Sequence, residues 1–477
     1  MEKFNEIVSK IDGCVWGVPL IVLIMFCGLL LTARLGLLQV RKLGLALKLM
    51  FRDEEDGSGE VSSFQALCTA LSATVGTGNI VGVATAVCAG GPGALFWMEI
   101  AAFLGMATKY AEGLLAIKYR RKDKGGNMLG GPFYYIEGGL GEKWKWLGKV
   151  FAVFGLLAGL MGIGTITQIN GITSAANNFF DPESVHKVNM FGTDFSLTTV
   201  ISGLIITVLA ALIIIGGIKR IATVSEVVVP AMILMYVGSC LIIIFTHLGE
   251  IPDAVVQIVK GAFGLRPMAG GAAGFVLMMG SMRSGVARGI FSNEAGLGSA
   301  PIAAAAARTN EPVRQGLVTM TGTFIDTIIV CTMTGLSIIM AGSHEKGLEG
   351  VTVTTDAFKQ GLPFPERVSA FMLMCCLAVF AFTTILGWNY YSERCLSYLT
   401  GSHKHISIIY KWLYIACVFI GPYMTVEAVW NMADIFNGLM ALPNIVALVC
   451  LSGTVADETK DYFKRIKETE ENIEEEG

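Results

Sequence analysis

The sequence predicts an all-α integral membrane protein with 11 transmembrane helices, and three observations carry that prediction. Of the 477 residues, 53% are hydrophobic and only 15% charged, with a mean hydropathy of +0.62; an ordinary soluble domain has about 25% charged residues. Apolar runs long enough to cross a bilayer recur along the whole chain. Basic residues concentrate in alternate connectors between those runs.

In order, the runs cover residues 15–31, 64–89, 93–119, 147–170, 197–217, 224–245, 270–307, 316–341, 368–389, 408–423 and 433–451. No small-residue cleavage site follows the first, so it reads as a span and not as a secretory leader. The connectors carry Asp, Glu, Lys, Gly and Pro. Residues 457–477 hold seven glutamates, three lysines and one arginine and read as a charged, solvated cytoplasmic tail. The remainder, 1–456, reads as a single transmembrane domain.

Placing the amino terminus outside puts 23 of the 35 basic residues in inner segments and eight in outer ones. The other four (Arg34, Lys109, Arg283 and Arg288) lie within spans or at their ends. This bias predicts a multi-pass protein of the cell membrane with its carboxyl terminus in the cytoplasm.

Composition also excludes functions. The net charge is −3 without a dense basic patch, so nucleic-acid binding has no electrostatic footprint. The 11 cysteines include no CxxC pair and read as small buried hydrophobes. All five histidines fall in or beside expected loops, and no HExxH, Walker A or GxSxG motif occurs. An enzyme would need a nucleophile with a base, or a metal cluster, at membrane depth. A channel would show a repeated pore loop or a ring of charge. No obligatory protein partner and no organic cofactor is expected.

Two spans break the apolar pattern. The second contains Ser72-Ala-Thr-Val-Gly76-Thr-Gly78-Asn79. The seventh contains Gly280-Ser-Met-Arg-Ser-Gly285 and then Ser292-Asn-Glu-Ala-Gly296-Leu-Gly298-Ser299. Both share the spacing Ser-x-x-x-Gly-x-Gly. A glycine costs about 1 kcal/mol in a helix interior, and irregular backbone at membrane depth is tolerated only where it is buried or lines a cavity. The alternative is close helix packing through small residues. Two such clusters, each heading five spans, predict a transporter built from inverted repeats, about 61–246 and 270–456, with a central site.

The same stretches bring a resemblance. Gly76-Thr-Gly-Asn-Ile-Val-Gly-Val-Ala-Thr-Ala86, Gly90-Gly-Pro-Gly-Ala-Leu-Phe-Trp-Met98, Met106-Ala-Thr-Lys-Tyr-Ala-Glu112, Gly130-Gly-Pro-Phe-Tyr-Tyr-Ile-Glu137 and Gly285-Val-Ala-Arg-Gly-Ile-Phe-Ser-Asn-Glu-Ala-Gly-Leu-Gly-Ser-Ala-Pro301 resemble the sodium:alanine symporters, also called the alanine or glycine:cation symporter family. Where that family usually adds a tryptophan after Phe-Trp-Met, this chain has Glu99. The resemblance implies a leucine-transporter-type 5+5 inverted-repeat core with one extra N-terminal helix. It also implies symport of sodium, the coupling ion, with alanine or glycine as the small neutral amino acid.

A broken helix suits a zwitterion. Free N–H groups at a half-helix start attract a carboxylate, and free carbonyls at a half-helix end attract an ammonium or sodium ion. The amides of Thr77, Gly78 and Asn79 are the expected carboxylate site, and the carbonyls of Ser72, Thr74 and Val75 the expected cation side. By the resemblance, sodium lies between the second and ninth spans, held by Ser72, Val75 and Phe380 carbonyls and Thr383 and Thr384 hydroxyls. By residue type alone, adjacent threonines also simply bond back to their own helix.

Gln168, an amide in an apolar helix, either contacts substrate or bonds between helices. Phe275 and Met279, beside Gly280, are the expected apolar wall around a small side chain, or ordinary packing. Asp326 is an intramembrane carboxylate, functional by default or bonded to Thr323 and Thr327. Glu112, Glu226 and Arg283 read as gate or interface residues, and Glu294 as a cap on the second half of the seventh span. A proton-coupled or other small-solute transporter of the same fold is the alternative, with Asp326 and Glu99 as its candidates.

Overall fold

The structure, a computed structural model, describes all residues except 1, 53, 55, 56, 124, 125, 127, 191, 265–270, 402, 425 and 477; of 2–5, 271–273, 426–430 and 470–476 it describes the backbone only. Helices α1 (Glu2–Val15) and α2 (Val18–Arg34) lead into α3 (Ser63–Thr74), α4 (Val83–Gly90) and α5 (Gly93–Lys118). Next come α6 (Lys145–Met161), α7 (Ile166–Phe180), α8 (Leu197–Ile214), α9 (Gly217–Thr246) and the amphipathic α10 (Ile251–Ala262). The second half holds α11 (Gly271–Asn293), α12 (Ala300–Ala304), α13 (Pro312–Thr323), α14 (Thr332–Met340), α15 (Val351–Gly361), α16 (Glu366–Thr400), α17 (Lys404–Ile420) and α18 (Val426–Glu476). Two short antiparallel hairpins, Arg121–Lys122 with Met128–Leu129 and Lys187–Met190 with Thr193–Ser196, sit in connectors.

Among the described residues, nine helical stretches are long and apolar enough to cross a membrane. A tenth forms if Ser63–Thr74 and Gly78–Gly90, bent by 52°, count as one span. The run expected over 270–307 is not among them. Its helix α11 carries Arg283 and Arg288 and many small polar residues, which dilute its hydropathy.

Helix α5 is the buried centre of the bundle and packs against α11 and α13; α6 packs against α16 and α18. The expected tail differs. Helix α18 runs straight on to Glu476. Its buried Thr459 exchanges a 2.7 Å hydrogen bond with Tyr110, Glu458 pairs with Lys118, and Arg465 holds both Glu311 oxygens at 3.1 Å. Val455, Thr459, Tyr462 and Phe463 recur at helical spacing, so this charged segment still has a face to dock.

At the Lys/Arg-rich end, Arg120 ties two chain segments together. Its guanidinium donates to the carbonyls of Ala305 (3.0 Å), Ala307 (2.8 Å) and Ser58 (2.8 Å), and to that of Thr309. The segment entering α3 is thereby fastened to the segment leaving α12. A lone parallel bridge, Val61 to Ala307, lies at the same place.

Candidate functional site

The first break lies where the sequence places it. Helix α3 starts at a capping box: Ser62 Oγ accepts from Gln65 N, and Gln65 Oε1 accepts from Ser62 N, both at 3.0 Å. It stops at Val75, whose ψ of 92° leaves the helical region. The next two N–H groups do not return to the carbonyls four residues back. Gly76 N donates to Asn79 Oδ1 at 2.9 Å, and Thr77 N donates to Gln168 Oε1 at 3.3 Å. Side chains have taken these donors, which leaves the Ser72 and Ala73 carbonyls without their usual helical partners. A π-helical turn, Gly78–Gly82, then restarts the span.

Ninth-span residues meet this break. Thr384 Oγ1 comes within 3.5 Å of the Val75 carbonyl and 3.1 Å of the Phe380 carbonyl, and Thr383 Oγ1 lies 2.9 Å from the latter. Ser72 faces Gly387, one turn further on. All five expected sodium residues are buried and sit on facing surfaces of α3 and α16. The threonines do bond back to their helix, and Thr384 also reaches across. Gly76 makes this approach possible: a Cβ there would lie 2.5 Å from Thr384 Oγ1 and 3.2 Å from Gln168 Oε1. Neutral carbonyl and hydroxyl oxygens around an unwound helix end are the donor set that suits sodium.

The seventh span is not broken at Gly280. Helix α11 runs unbroken through it to Asn293, and Gly285 there serves packing, since a Cβ would run into the Ala94 carbonyl. The break comes at the second cluster, where Glu294 (φ 55°), Gly296 (φ 87°) and Gly298 (φ 83°) are left-handed. At Gly298 a Cβ would also lie 2.7 Å from Pro132 Cγ and 2.9 Å from Asn444 Cγ. Phe275 and Met279 therefore sit more than two turns before the break. Phe275 is 59% exposed, Met279 half-buried and Gly280 exposed, and the structure does not bring these three to the others. The aromatic beside the first break is Phe291: a Cβ on Gly78 would lie 3.3 Å from its ring and 3.4 Å from Ser292 Cα.

Asp326 joins both breaks. Its carboxylate accepts from Asn79 Nδ2 and Ser292 Oγ, each at 2.8 Å, and from Thr327 Oγ1 at 2.7 Å. It sits in a π-helical stretch, Phe324–Cys331, between α13 and α14. Thr323, expected as a partner, makes no such bond.

The second break is held by residues whose roles sequence reasoning misplaced. Glu112 is fully buried, and its Oε1 accepts from Gly296 N and Gly298 N at 3.2 Å and from Asn444 Nδ2 at 2.7 Å. It accepts from the N–H groups that Glu294 was expected to cap. Glu294 instead accepts from Trp388 Nε1 at 2.9 Å and from Ser299 Oγ. Lys109, one turn before Glu112, is only 3% exposed. Glu226 accepts from Gln65 Nε2 at 2.8 Å, Arg283 is exposed, and Glu99 faces Thr332.

A third interruption was not expected. The fourth span stops at Met161 and resumes at Ile166. Gln168 Nε2 donates back to the Ile163 carbonyl at 3.0 Å, and Tyr414 donates to the Gly164 carbonyl at 2.8 Å. Gly159, Gly162 and Gly164 were its sequence signal. The offset sets Gln168 against Thr77, so the Gln168 amide bonds between helices at the first break.

Comparison with known proteins gives the family and the fold. The model of the sodium:alanine symporter family matches residues 1–476. The chain is 52% identical to an uncharacterized transporter of Haemophilus influenzae over 97% of each chain. It is 44% identical to the sodium/alanine symporter AgcS of Methanococcus maripaludis, over 98% of this chain and 99% of that one. It is 39% identical to the probable sodium/glutamine symporter GlnT of Bacillus subtilis, over 97% and 91%. The crystal structure of MhsT in complex with L-phenylalanine superposes with a TM-score of 0.51 at 12% identity, over 84% of this chain and 99% of that one, which shows a shared fold. The chain is thus a cation-coupled amino-acid transporter of the membrane, not an enzyme, and it belongs to the sodium:alanine symporter family.

Proposed function

We propose that this protein couples inward sodium movement to uptake of a small neutral amino acid, alanine or glycine, by alternating access. The observation that carries the reading is the diversion of two backbone donors at the first break. With Gly76 N and Thr77 N held by Asn79 and Gln168, the second span stays open at Val75, whose carbonyl lies 3.5 Å from the Thr384 hydroxyl. Sodium bound by Ser72, Val75, Phe380, Thr383 and Thr384 would fix α3 against α16. The substrate carboxylate would meet Thr77, Gly78 and Asn79, joining or displacing the Gln168 amide oxygen. Phe291 supplies an apolar surface at the same level.

The same reading takes the core as five plus five helices, about 61–246 and 270–456, of leucine-transporter type, with α2 as the extra helix and α11 completing 11 spans. The amino terminus is outside, and the end fastened by Arg120 is cytoplasmic. Opening inward then requires releasing the Ala305, Ala307, Ser58 and Thr309 carbonyls. Support comes from the relative named as a sodium/alanine symporter and from the shared fold. A relative named as a probable sodium/glutamine symporter makes glutamine the competitor to include.

Uptake of labelled alanine into proteoliposomes tests the reading. Replacing external sodium with potassium should abolish accumulation. An inside-negative potential of about 100 mV should speed it, since each charge gains roughly 2.3 kcal/mol. Accumulation driven equally by a proton gradient without sodium would overturn it.

A further inference from the structure

Where α2 ends, a cavity opens that the transport site does not use. It measures about 500 Å³ and lies between the α2 exit and the docked end of α18. Arg34, Arg41, Lys42 and Lys460 line it, together with Leu38 and Phe463, and among the described residues no carboxylate does. Glu458, adjacent on α18, is already taken by Lys118. Asp457 and Asp461 flank Lys460 in sequence without lining the cavity.

Two of these cations are held in place before any ligand arrives. Arg41 Nη2 donates to the Leu35 carbonyl at 3.0 Å, and Lys42 Nζ stands 4.4 Å over the Phe463 ring. Arg34 closes the last turn of α2, where a cation complements the carbonyl end of the helix. Beside the cavity, Leu37 and Val40 are exposed to more than 40%. An apolar surface next to clustered arginine and lysine at a span end is the arrangement of a membrane–water interface.

We infer that this cavity binds the phosphate of an anionic phospholipid headgroup, with the acyl chains lying along Leu37 and Val40. The inference rests on the proposed orientation only for the choice of leaflet. Arg41 and Lys42 would contact the phosphate, Arg34 and Lys460 would supply long-range attraction, and the ligand would join the extra helix α2 to the end of α18.

The test uses the full-length chain in neutral detergent and a fluorescent phosphatidylglycerol followed by anisotropy. Binding should be saturable and displaced by unlabelled phosphatidylglycerol, but not by phosphatidylcholine. Arg41→Gln with Lys42→Gln should weaken it about thirtyfold, as expected for two basic groups at a surface. The swapped pair Arg41→Lys with Lys42→Arg should keep it within about threefold, which separates lost charge from misfolding. Lys464→Gln, on the same helix outside the cavity, should leave it unchanged. Equal affinity in the double glutamine variant, or equal displacement by phosphatidylcholine, would overturn the proposal. Displacement by millimolar inorganic phosphate would reassign the cavity to a soluble anion and overturn its lipid assignment. Sodium-driven alanine uptake, measured separately, distinguishes failure here from failure of the transport reading.

Discussion

Asn79 bonds in two directions: its amide oxygen accepts from Gly76 N at 2.9 Å, and its amide nitrogen donates to Asp326 Oδ1 at 2.8 Å. The first bond holds the second span open, and the second ties that opening to the eighth span. Ser292 bonds the other Asp326 oxygen, so both breaks hang from one carboxylate.

Asp326→Asn should therefore cost more than an ordinary buried polar change. It turns an acceptor-only group into one that presents N–H to Asn79 or to the Ser292 and Thr327 hydroxyls. Each unsatisfied buried partner costs about 1–3 kcal/mol. Thermal unfolding in detergent should shift down, and sodium-driven uptake should fall with it. Normal stability and uptake together would show that Asp326 does not join the breaks.

Gly76→Ala places a methyl group against Thr384 Oγ1, at the approach of α3 to α16. The sodium concentration for half-maximal uptake should rise sharply. Thr384→Val, which removes one hydroxyl but keeps the shape, should raise it too, and Thr384→Ser should do so less. An unchanged sodium dependence in Thr384→Val would remove this hydroxyl from the cation site.

Gln168→Ala should lower the stability of the substrate-free protein by about 1–3 kcal/mol, the cost of leaving the Thr77 donor unpaired. A substrate carboxylate that pairs this donor should bind no more weakly than before. Phe275→Ala and Met279→Ala should leave the ranking of competing neutral amino acids unchanged, because both lie along α11 well before its break. Thermal unfolding measures the stability, and competition against labelled alanine measures binding in all three. A changed ranking in Phe275→Ala would return the size filter to that helix.

What the sequence disclosed follows from the range of its signals. Gly76-Thr-Gly78 inside an apolar run marks a break because glycine there has a local cost with no local benefit. Gly280 and Gly296 carry the same mark, and only the partners separate them. Gly285 packs against the Ala94 carbonyl, whereas the N–H groups of Gly296 and Gly298 point to Glu112, far away in sequence. Glu112 itself reads as a residue near a membrane face until α5 is known to run through the middle of the bundle. The fourth-span interruption was hidden because Gly159, Gly162 and Gly164 also suit helix packing. The tail reads as solvated because its charge outweighs the one narrow face formed by Thr459, Tyr462 and Phe463.

Topology has its own check. In a background without native cysteines, Lys187→Cys should react with an impermeant thiol reagent in intact cells, and Lys122→Cys only after permeabilisation. Labelling of the Lys122 position from outside would reverse the orientation.

Coupling is the central claim, and equilibrium binding measures it most directly. Radioactive sodium binding to the purified protein should tighten when alanine is added, and alanine binding should tighten with sodium by the same factor, as linkage requires. Thr384→Val should weaken sodium binding and, through the same linkage, reduce the gain in alanine affinity at a fixed sodium concentration. Sodium affinity that ignores alanine in the unaltered protein would contradict a cation held at the first break beside the amino acid.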